Sequence, residues 1–512
     1  MNLNKRTLVI IAIVSITLTG NSYSQKIKNK TSENYTQYVN PYIGSGGHGH
    51  IFVGANVPFS AVQLGPATIF EGWDWCSAYN YSSNTILGFT HTRLSGTGIG
   101  DLNDILLLPL TGKIALKKAT KEDPNGYGST FSHNNEVVKP GYYSVLLDKY
   151  KVKAELTTSE RVGFHKYTFN SKEDAHVLLD LADGVGWDSS KETFIKKTGK
   201  RTIVGYRYSN GWAADQRLFF AMEFSEDISN ISLYDSTSVV NGTEWKALKM
   251  KAVLDFKTKT KNVIMVKVGL SPVSYDNALA NIKAEIPHWD FDKVKNVAKE
   301  KWNKELSKIE VNSIDDNDKK SFYTALYHTC LSPIIYQDVD GQYKGLDQNI
   351  HKAEGFTNYT IFSLWDTYRA LHPLYTIIQS SRNNDMIKSM LAHYDQSVHK
   401  MLPIWSHYAN ENWCMIGYHA TSVIADAIVK KMGDFDKNKA LEASVSTATV
   451  PYYEGLEEYM KLNYVPEDKS HSSVSKTLEY AYNDWCIAQI ANSVNSNKVK
   501  DEFLKRSENY KN

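Results

Sequence analysis

Val263-Ile264-Met265-Val266-Lys267-Val268-Gly269-Leu270-Ser271, followed after a short turn by Asp276-Asn277-Ala278-Leu279-Ala280-Asn281-Ile282, is where this chain changes period. The first run is short, apolar and rich in β-branched residues, as a strand requires. In the second, Ala278, Ile282 and Ile286 recur at helical spacing, and Val294, Val297, Trp302 and Leu306 continue it on a highly charged background. Upstream, Tyr142 to Leu147, Thr202 to Tyr208 and Leu218 to Phe224 are further short runs separated by turn residues, which predicts an antiparallel β-sandwich over 25–275. Downstream, 276–315 reads as a helical linker. Beyond Asp316 the pattern is helix and loop, with helices expected over 316–331, 363–379, 382–395, 417–432, 438–460, 474–491 and 497–510. The predicted fold class is α+β and multidomain.

The N-terminus speaks to compartment. Lys5 and Arg6 precede an apolar run from Leu8 to Leu18, and small residues at Ser22 and Ser24 suit signal peptidase, so residues 1–24 are expected to be a signal peptide and Gln25 to begin the mature chain. The run is shorter than the ~20 residues a membrane span needs, and no later stretch is longer. An exported protein, periplasmic or secreted and without a membrane span, is expected. Lys and Arg number 58 against 56 Asp and Glu, a formal charge of +2, which gives no electrostatic case for nucleic acid or an anionic membrane. The 32 Tyr and 11 Trp suit stacking on sugar faces, although core packing claims most rings in any protein. Cys76, Cys330, Cys414 and Cys486 lack any zinc spacing and read as buried small thiols.

Several segments concentrate residues with chemistry. Gly46-Gly47-His48-Gly49-His50 pairs two histidines in His-x-His spacing, but a metal there would need further ligands that the sequence does not place. In Gly72-Trp73-Asp74-Trp75-Cys76-Ser77, Asp74 stands between two rings. It is either an acceptor for sugar hydroxyls or a turn-capping carboxylate while both rings fill the core. In Phe362-Ser363-Leu364-Trp365-Asp366-Thr367-Tyr368-Arg369, Ser363 and Asp366 have capping-box spacing, and Asp366 and Arg369 at i, i+3 could pair with each other or reach a pocket. Glu411 and Trp413 precede a helix whose Ile416, Ala420, Val423 and Ala427 form an apolar stripe. On the expected helix 474–491, Leu478, Tyr482 and Trp485 share a face and read as core.

Taken together, the GGHGH loop, GWDWCS, LSGTGIGDLNDILLLP, FSLWDTYRALHPL, NWCMIGYH and YVPEDKSHSSVSKTLEYAYNDWCIAQIA resemble glycoside hydrolase family 92 from Tyr38 to the end of the chain. The resemblance implies an N-terminal β-sandwich, a C-terminal (α/α)6 toroid over 316–512, and a site between them. It implies calcium-dependent, inverting removal of terminal α-mannose from mannose-terminated glycans. Carried over by motif, Asp74, Trp75, Asp366, Arg369 and Glu411 are expected to line the sugar pocket. The family's general acid, general base and most calcium ligands lie further along the toroid, so they are expected beyond Asn512 and the toroid is expected to be incomplete. The alternative reading is a non-catalytic mannoside-binding fragment or an inactive remnant.

Overall fold

A computed structural model describes residues 33–170, 173–182, 184, 186–257 and 262–512; the signal-peptide reading of residues 1–24 lies outside them. Residues 35–512 form one compact unit.

The N-terminal half is built from two antiparallel sheets. One runs in the spatial order Gly65–Thr68, Thr85–Thr90, Leu106–Thr111, Ala175–Asp180, Met250–Phe256, Asn230–Asp235, Ser238–Val240. The other runs Glu244–Ala247, Ser189–Lys197, Thr202–Asn210, Gln216–Phe224, Val263–Ser271, Val162–Phe169, Val152–Thr158, Tyr142–Leu147, Glu136–Lys139. Side chains alternate across a strand, so in Gln216–Phe224 Leu218, Phe220, Met222 and Phe224 turn inward while Arg217, Phe219 and Glu223 do not. Both sheets feed a single apolar core in which Phe89, Leu107, Leu178, Tyr167, Phe220 and Val268 are fully buried.

The period change seen in the sequence is where the last long strand, Val263–Ser271, gives way to α1 (Tyr275–Glu285). Ser274 caps α1 by accepting the Asn277 amide, and Ala278, Ile282 and Ile286 pack on Val162, Phe164, Val204 and Ala221 of the second sheet. Contact is close enough that a Cβ on Gly269 would lie 2.3 Å from the Ala278 carbonyl, so only glycine fits there. In α2 (Phe291–Leu306), Val294, Trp302 and Leu306 are buried as their spacing predicts, but Val297 faces water. The stripe of α2 is narrow because its charged flanks stay hydrated on either side of it.

The C-terminal half is helical: α3 (Asp316–His328), α4 (Leu364–Thr367), α5 (Leu371–Ile378), α6 (Ser380–Gln396), α7 (Ala420–Val429), α8 (Lys437–Thr447), α9 (Leu456–Leu462), α10 (Ser473–Ser493) and α11 (Asn497–Arg506). Two expected helices are divided. The span 363–379 breaks between α4 and α5, because Pro373 has no N–H to give the Arg369 carbonyl and its ring would collide with it. The span 438–460 breaks between α8 and α9, where Pro451 interrupts the helix and Gly455 adopts a left-handed φ of 81°. Short two- and three-residue strands at Ile334–Ile335, Gln342–Lys344, Phe362–Ser363 and Trp405–His407 add hairpins that the apolar pattern did not announce.

One expected core face is on the surface. Leu478, Tyr482 and Trp485, with Val474, form an exposed stripe along α10. The helix has apolar residues on more than one side, and its buried side carries Tyr480, Ala481, Ile487, Ala488 and Ile490 together with Lys476, Asn483 and Asp484.

Polar bonds tie the two halves together. The Trp302 indole N–H donates to the Asn56 carbonyl at 2.7 Å, and Gln63 Nε2 donates to the Leu331 carbonyl at 2.7 Å. Arg161 Nε donates to the Gln337 carbonyl at 2.5 Å. Asn410 and the Asp215 backbone exchange two bonds of 2.9 and 3.1 Å. Trp302, Asn56, Gln63 and Leu331 are fully buried, where an unmade partner would cost about 1–3 kcal/mol each.

Candidate functional site

A cleft of about 370 Å³ lies where the sheet half meets the helical half, a volume suited to a small molecule. Ser95, Gly96 and Thr97 form its wall on the sheet side, Ser363, Asp366 and Thr367 its wall on the helical side, and Trp405 also lines it. Asp366 is exposed at the start of α4. Ser363 does not cap that helix. Its hydroxyl donates to Asp366 Oδ2 at 2.5 Å and accepts the Trp405 indole N–H at 2.7 Å. This relay fixes the Asp366 carboxylate against Trp405, an acceptor beside a flat apolar ring.

Arg369 is organised by a different partner from the one its spacing suggested. Its Nη2 donates to Glu479 Oε1 of α10 at 3.2 Å, and its guanidinium lies over the rings of Trp365 and Tyr368 at 4.7 and 4.8 Å. Asp366 is committed to Ser363, and an acceptor on a neighbouring helix suits the longer arginine better. Glu479 collects further donors from the Trp365 indole and the Tyr368 hydroxyl, both at 3.3 Å, and His419 Nε2 stands 3.0 Å away. Burial pushes the Glu479 carboxyl up, but the hydrogen bonds from His419 and Arg369 and the charge of Arg369 outweigh it and hold it below the usual range. His419 stacks on Tyr368 with centroids 3.9 Å apart. Glu479 and His419 were visible in sequence only as parts of long motifs, and nothing local linked them to Arg369.

On the sheet side, Asp74 and Trp75 sit in the short turn Trp73–Trp75 and do not line the cleft; the next residue, Cys76, ties that turn to Thr97 of the wall. Cys76 donates its thiol to the Thr97 carbonyl at 3.2 Å, and burial pushes that thiol up to about 11, so it is no nucleophile at neutral pH. Asp74 Oδ1 lies 2.5 Å from His48 Nδ1 and 3.6 Å from His50 Nε2. The Trp75 indole is anchored by Ser83 at 2.8 Å. Among the described residues no three His, Cys, Asp or Glu side chains are arranged to hold a metal ion. His48, His50 and Asp74 together offer two ring nitrogens and a single carboxylate, a poor match to the six to eight oxygens that calcium takes.

Glu411 is placed by the backbone. Its carboxylate accepts the amides of Ile404 at 3.0 Å, Trp405 at 2.7 Å and Trp413 at 3.0 Å, and so closes the loop that presents Trp405 to the cleft. Burial pushes this carboxyl up, against the pull of those amides. Strain gathers in the same loop and in the one opposite. Tyr408, Ala409, Trp413 and Met415, and Leu102, Asn103 and Ile105, all hold left-handed φ values between 48° and 71°. Such residues persist only where their surroundings over-determine them, and they cluster at sites. Replacing Glu411 by Gln presents an NH2 to an amide N–H, so a loss of about 1–3 kcal/mol in denaturant unfolding is expected. An unchanged midpoint would show that the clamp contributes nothing.

This architecture, with its polar cleft between the two halves, matches two family descriptions along the chain: the N-terminal domain of glycosyl hydrolase family 92 over residues 38–271, and the catalytic domain of the same family over residues 277–512. The chain belongs to glycoside hydrolase family 92. It is 43% identical to a family 92 α-mannosidase of Bacteroides thetaiotaomicron solved in complex with mannoimidazole, at a TM-score of 0.91, over 94% of this chain and 64% of that one. A family 92 inverting mannosidase of the same species is 28% identical at a TM-score of 0.84, over 94% of this chain and 65% of that one. An uncharacterized secreted glycosidase of Arthroderma benhamiae is 25% identical over 93% of this chain and 62% of its own length. The chain thus spans a little under two thirds of these relatives.

Proposed function

We propose that the protein is an exo-acting glycoside hydrolase that removes terminal α-linked mannose from glycans. The observation that carries this reading is the Asp366 carboxylate, held by Ser363 against Trp405 on an interdomain cleft. It stands in a chain 43% identical to an α-mannosidase solved with a mannose-like ligand. A mannose ring needs acceptors for its hydroxyls, and Asp366 supplies one on a cleft wall that the buried Trp405 supports from beneath. Asp74, Trp75, Arg369 and Glu411 complete the proposed sugar-binding set. Asp74 and Trp75 sit in the turn that Cys76 ties to the sheet-side wall, Arg369 is held by Glu479, and Glu411 shapes the Trp405 loop.

Inverting hydrolysis requires a carboxylic acid for the leaving oxygen and a second carboxylate to activate water, roughly 6.5–9.5 Å apart. We assign neither role to the residues of this cleft and place both in the share of the relatives that this chain does not span. The helices α3 to α11 are read as part of an (α/α)6 toroid, the protein as exported, and calcium as the cofactor of the full site. No step is derived through calcium, because the described residues offer it no oxygen cage.

The test is mannose released from an α-mannobiose, measured for the 512-residue chain and for the same chain joined to the remaining share of a relative. Only the longer protein is expected to release mannose, and a calcium chelator is expected to stop it. Comparable release by the 512 residues alone would place the acid and base among the residues described here. No release by either would end the mannosidase reading.

A further inference from the structure

One seven-residue loop, Ser95-Gly96-Thr97-Gly98-Ile99-Gly100-Asp101, holds three tryptophans, and through the last of them it reaches a fourth. Trp73 donates its indole N–H to the Gly98 carbonyl at 2.9 Å. A Cβ on Gly98 would come within 2.7 Å of the same ring. Trp187 donates its backbone N–H to the Gly100 carbonyl at 2.7 Å. Trp212 donates its backbone N–H to Asp101 Oδ1 at 3.0 Å, and its ring meets Trp405 edge-on at 4.6 Å. Residues 95–97 and Trp405 line the cleft, and the other three rings are held by the residues that directly follow in the loop, Gly98, Gly100 and Asp101.

Exposure rises outward along that series. Trp405 is 3% exposed and Trp212 half-buried, whereas Trp187 is 46% and Trp73 50% exposed. Packing accounts for the inner pair. It does not account for Trp187, a large ring left nearly half in water yet seated with care. The Cγ, Cδ1 and Nε1 atoms of that ring all lie 3.1 Å from the position a Cβ on Gly100 would take, so one face of its pyrrole ring rests flat on the glycine. Gly186 is needed as well, since a Cβ there would fall 1.5 Å from the Gly100 carbonyl oxygen. Asp188, the next residue, is pinned by Arg207 at 2.6 Å. A ring with one face on glycine, its chain fixed on both sides and its other surface open to water, is a platform.

We propose that Trp187 is a stacking platform for a sugar ring outside the cleft, so that the protein recognises an α-linked mannooligosaccharide through a unit beyond its terminal residue. This rests on the reading of the cleft as a terminal-mannose pocket. A pyranose ring presents an apolar C–H face that fits an exposed indole, and a rigid aromatic anchor at the rim of a polar pocket adds affinity at little entropic cost.

Calorimetric titration of the 512-residue protein with methyl α-mannoside and with an α-linked mannotriose tests the platform, using the wild type, Trp187→Ala and Trp187→Phe. The wild type is expected to bind the trisaccharide about tenfold tighter than the monosaccharide, the worth of one good aromatic contact. Trp187→Ala should lose that margin while keeping its affinity for methyl α-mannoside, and Trp187→Phe should recover most of it. If Trp187→Ala keeps the margin, or if the wild type binds both sugars equally, the platform is refuted while the pocket reading stands. Weakened binding of both sugars by Trp187→Ala, with circular dichroism unchanged, would also refute it, because the ring would then act through Gly100 on the cleft. Binding of neither sugar by the wild type would remove the pocket reading and the platform together.

Discussion

Replacing Arg207 with Met is expected to destabilise the protein by about 3–5 kcal/mol, the usual cost of stranding a buried charge. Arg207 is 1% exposed in the strand Thr202–Asn210, and its Nη1 donates to both Asp104 and Asp188, which are also buried. Burial pushes the Asp188 carboxyl up to about 6, with Arg207 pulling it down and Asp104 pushing it up. Without the guanidinium, two carboxylates would share a dry site, and at least one would have to take a proton or open the site to water. Removing all three charges together, as Arg207→Met with Asp104→Asn and Asp188→Asn, should recover much of the loss. Denaturant midpoints at pH 7.5 measure both. A single variant within about 1 kcal/mol of wild type would mean that the cluster is solvated and the argument fails. The position matters beyond stability: Asp104 and Asp188 anchor the loops that carry Asp101 and Trp187.

The second large effect is acid sensitivity. Burial depresses His91 to about 3, His407 to about 3, and His328, His372 and His393 to about 4, and it also lowers His165 and His419. One pair shows why a proton is excluded. His91 Nδ1 must donate to the Ile105 carbonyl, so its Nε2 accepts from His165 Nε2, and His165 Nδ1 accepts from the Tyr167 hydroxyl. Every position in that chain is used, and none can take a further proton without breaking a bond. Each such histidine stays neutral when folded and protonates near pH 6.5 when unfolded. Its stabilisation is therefore complete above about pH 6.5 and lost as pH falls towards the folded value, at about 1.4 kcal/mol per pH unit.

Carboxylates oppose this. Asp188, Asp338 and Asp484, pushed up to about 6 by burial, bind protons in the folded state as pH passes 6, and the raised Asp101, Asp385 and Glu411 act in the same sense. Seven histidines outnumber those carboxylates, and they begin to act at higher pH. A net loss of about 3–5 kcal/mol between pH 6.5 and 5.5 is expected. Thermal unfolding followed from pH 8 to pH 5 should show a plateau above pH 7 and a steep fall below pH 6.5. A melting temperature that is level down to pH 5 would contradict the argument.

Much of the fold was legible because periodicity reports burial directly. Tyr142–Leu147 is a strand over the predicted residues, and the change at 263–286 separates the sheets from the helices. Where periodicity failed, geometry explains the failure. Apolar spacing on α10 identifies the face of Leu478, Tyr482 and Trp485, which is in water, because the covered side buries Lys476, Asn483 and Asp484 in polar bonds that apolar spacing does not report. The site was legible as motifs, not as contacts. Asp366 and Arg369 looked like partners at i, i+3, yet the partner of Arg369 is 110 residues away in α10. Glu411 is expected from its motif to line the sugar pocket, and its carboxylate also accepts three backbone amides, contacts that carry no sequence signal. Trp187 left no signal at all, because its distinction is a glycine seat visible only in three dimensions.

The bonds between the halves bear on how any ligand reaches the cleft. Trp302 to Asn56, Gln63 to Leu331, Arg161 to Gln337, Asn410 to Asp215, and the Trp212–Trp405 ring contact all cross the interface between the halves. Domain closure by a hinge needs a few residues that can absorb a large rotation while the rest of the interface lets go. Here an opening rotation would have to break several buried bonds at once. These bonds oppose such a rotation, so the free energy of binding a ligand in the cleft need not be diverted into moving one half of the protein against the other.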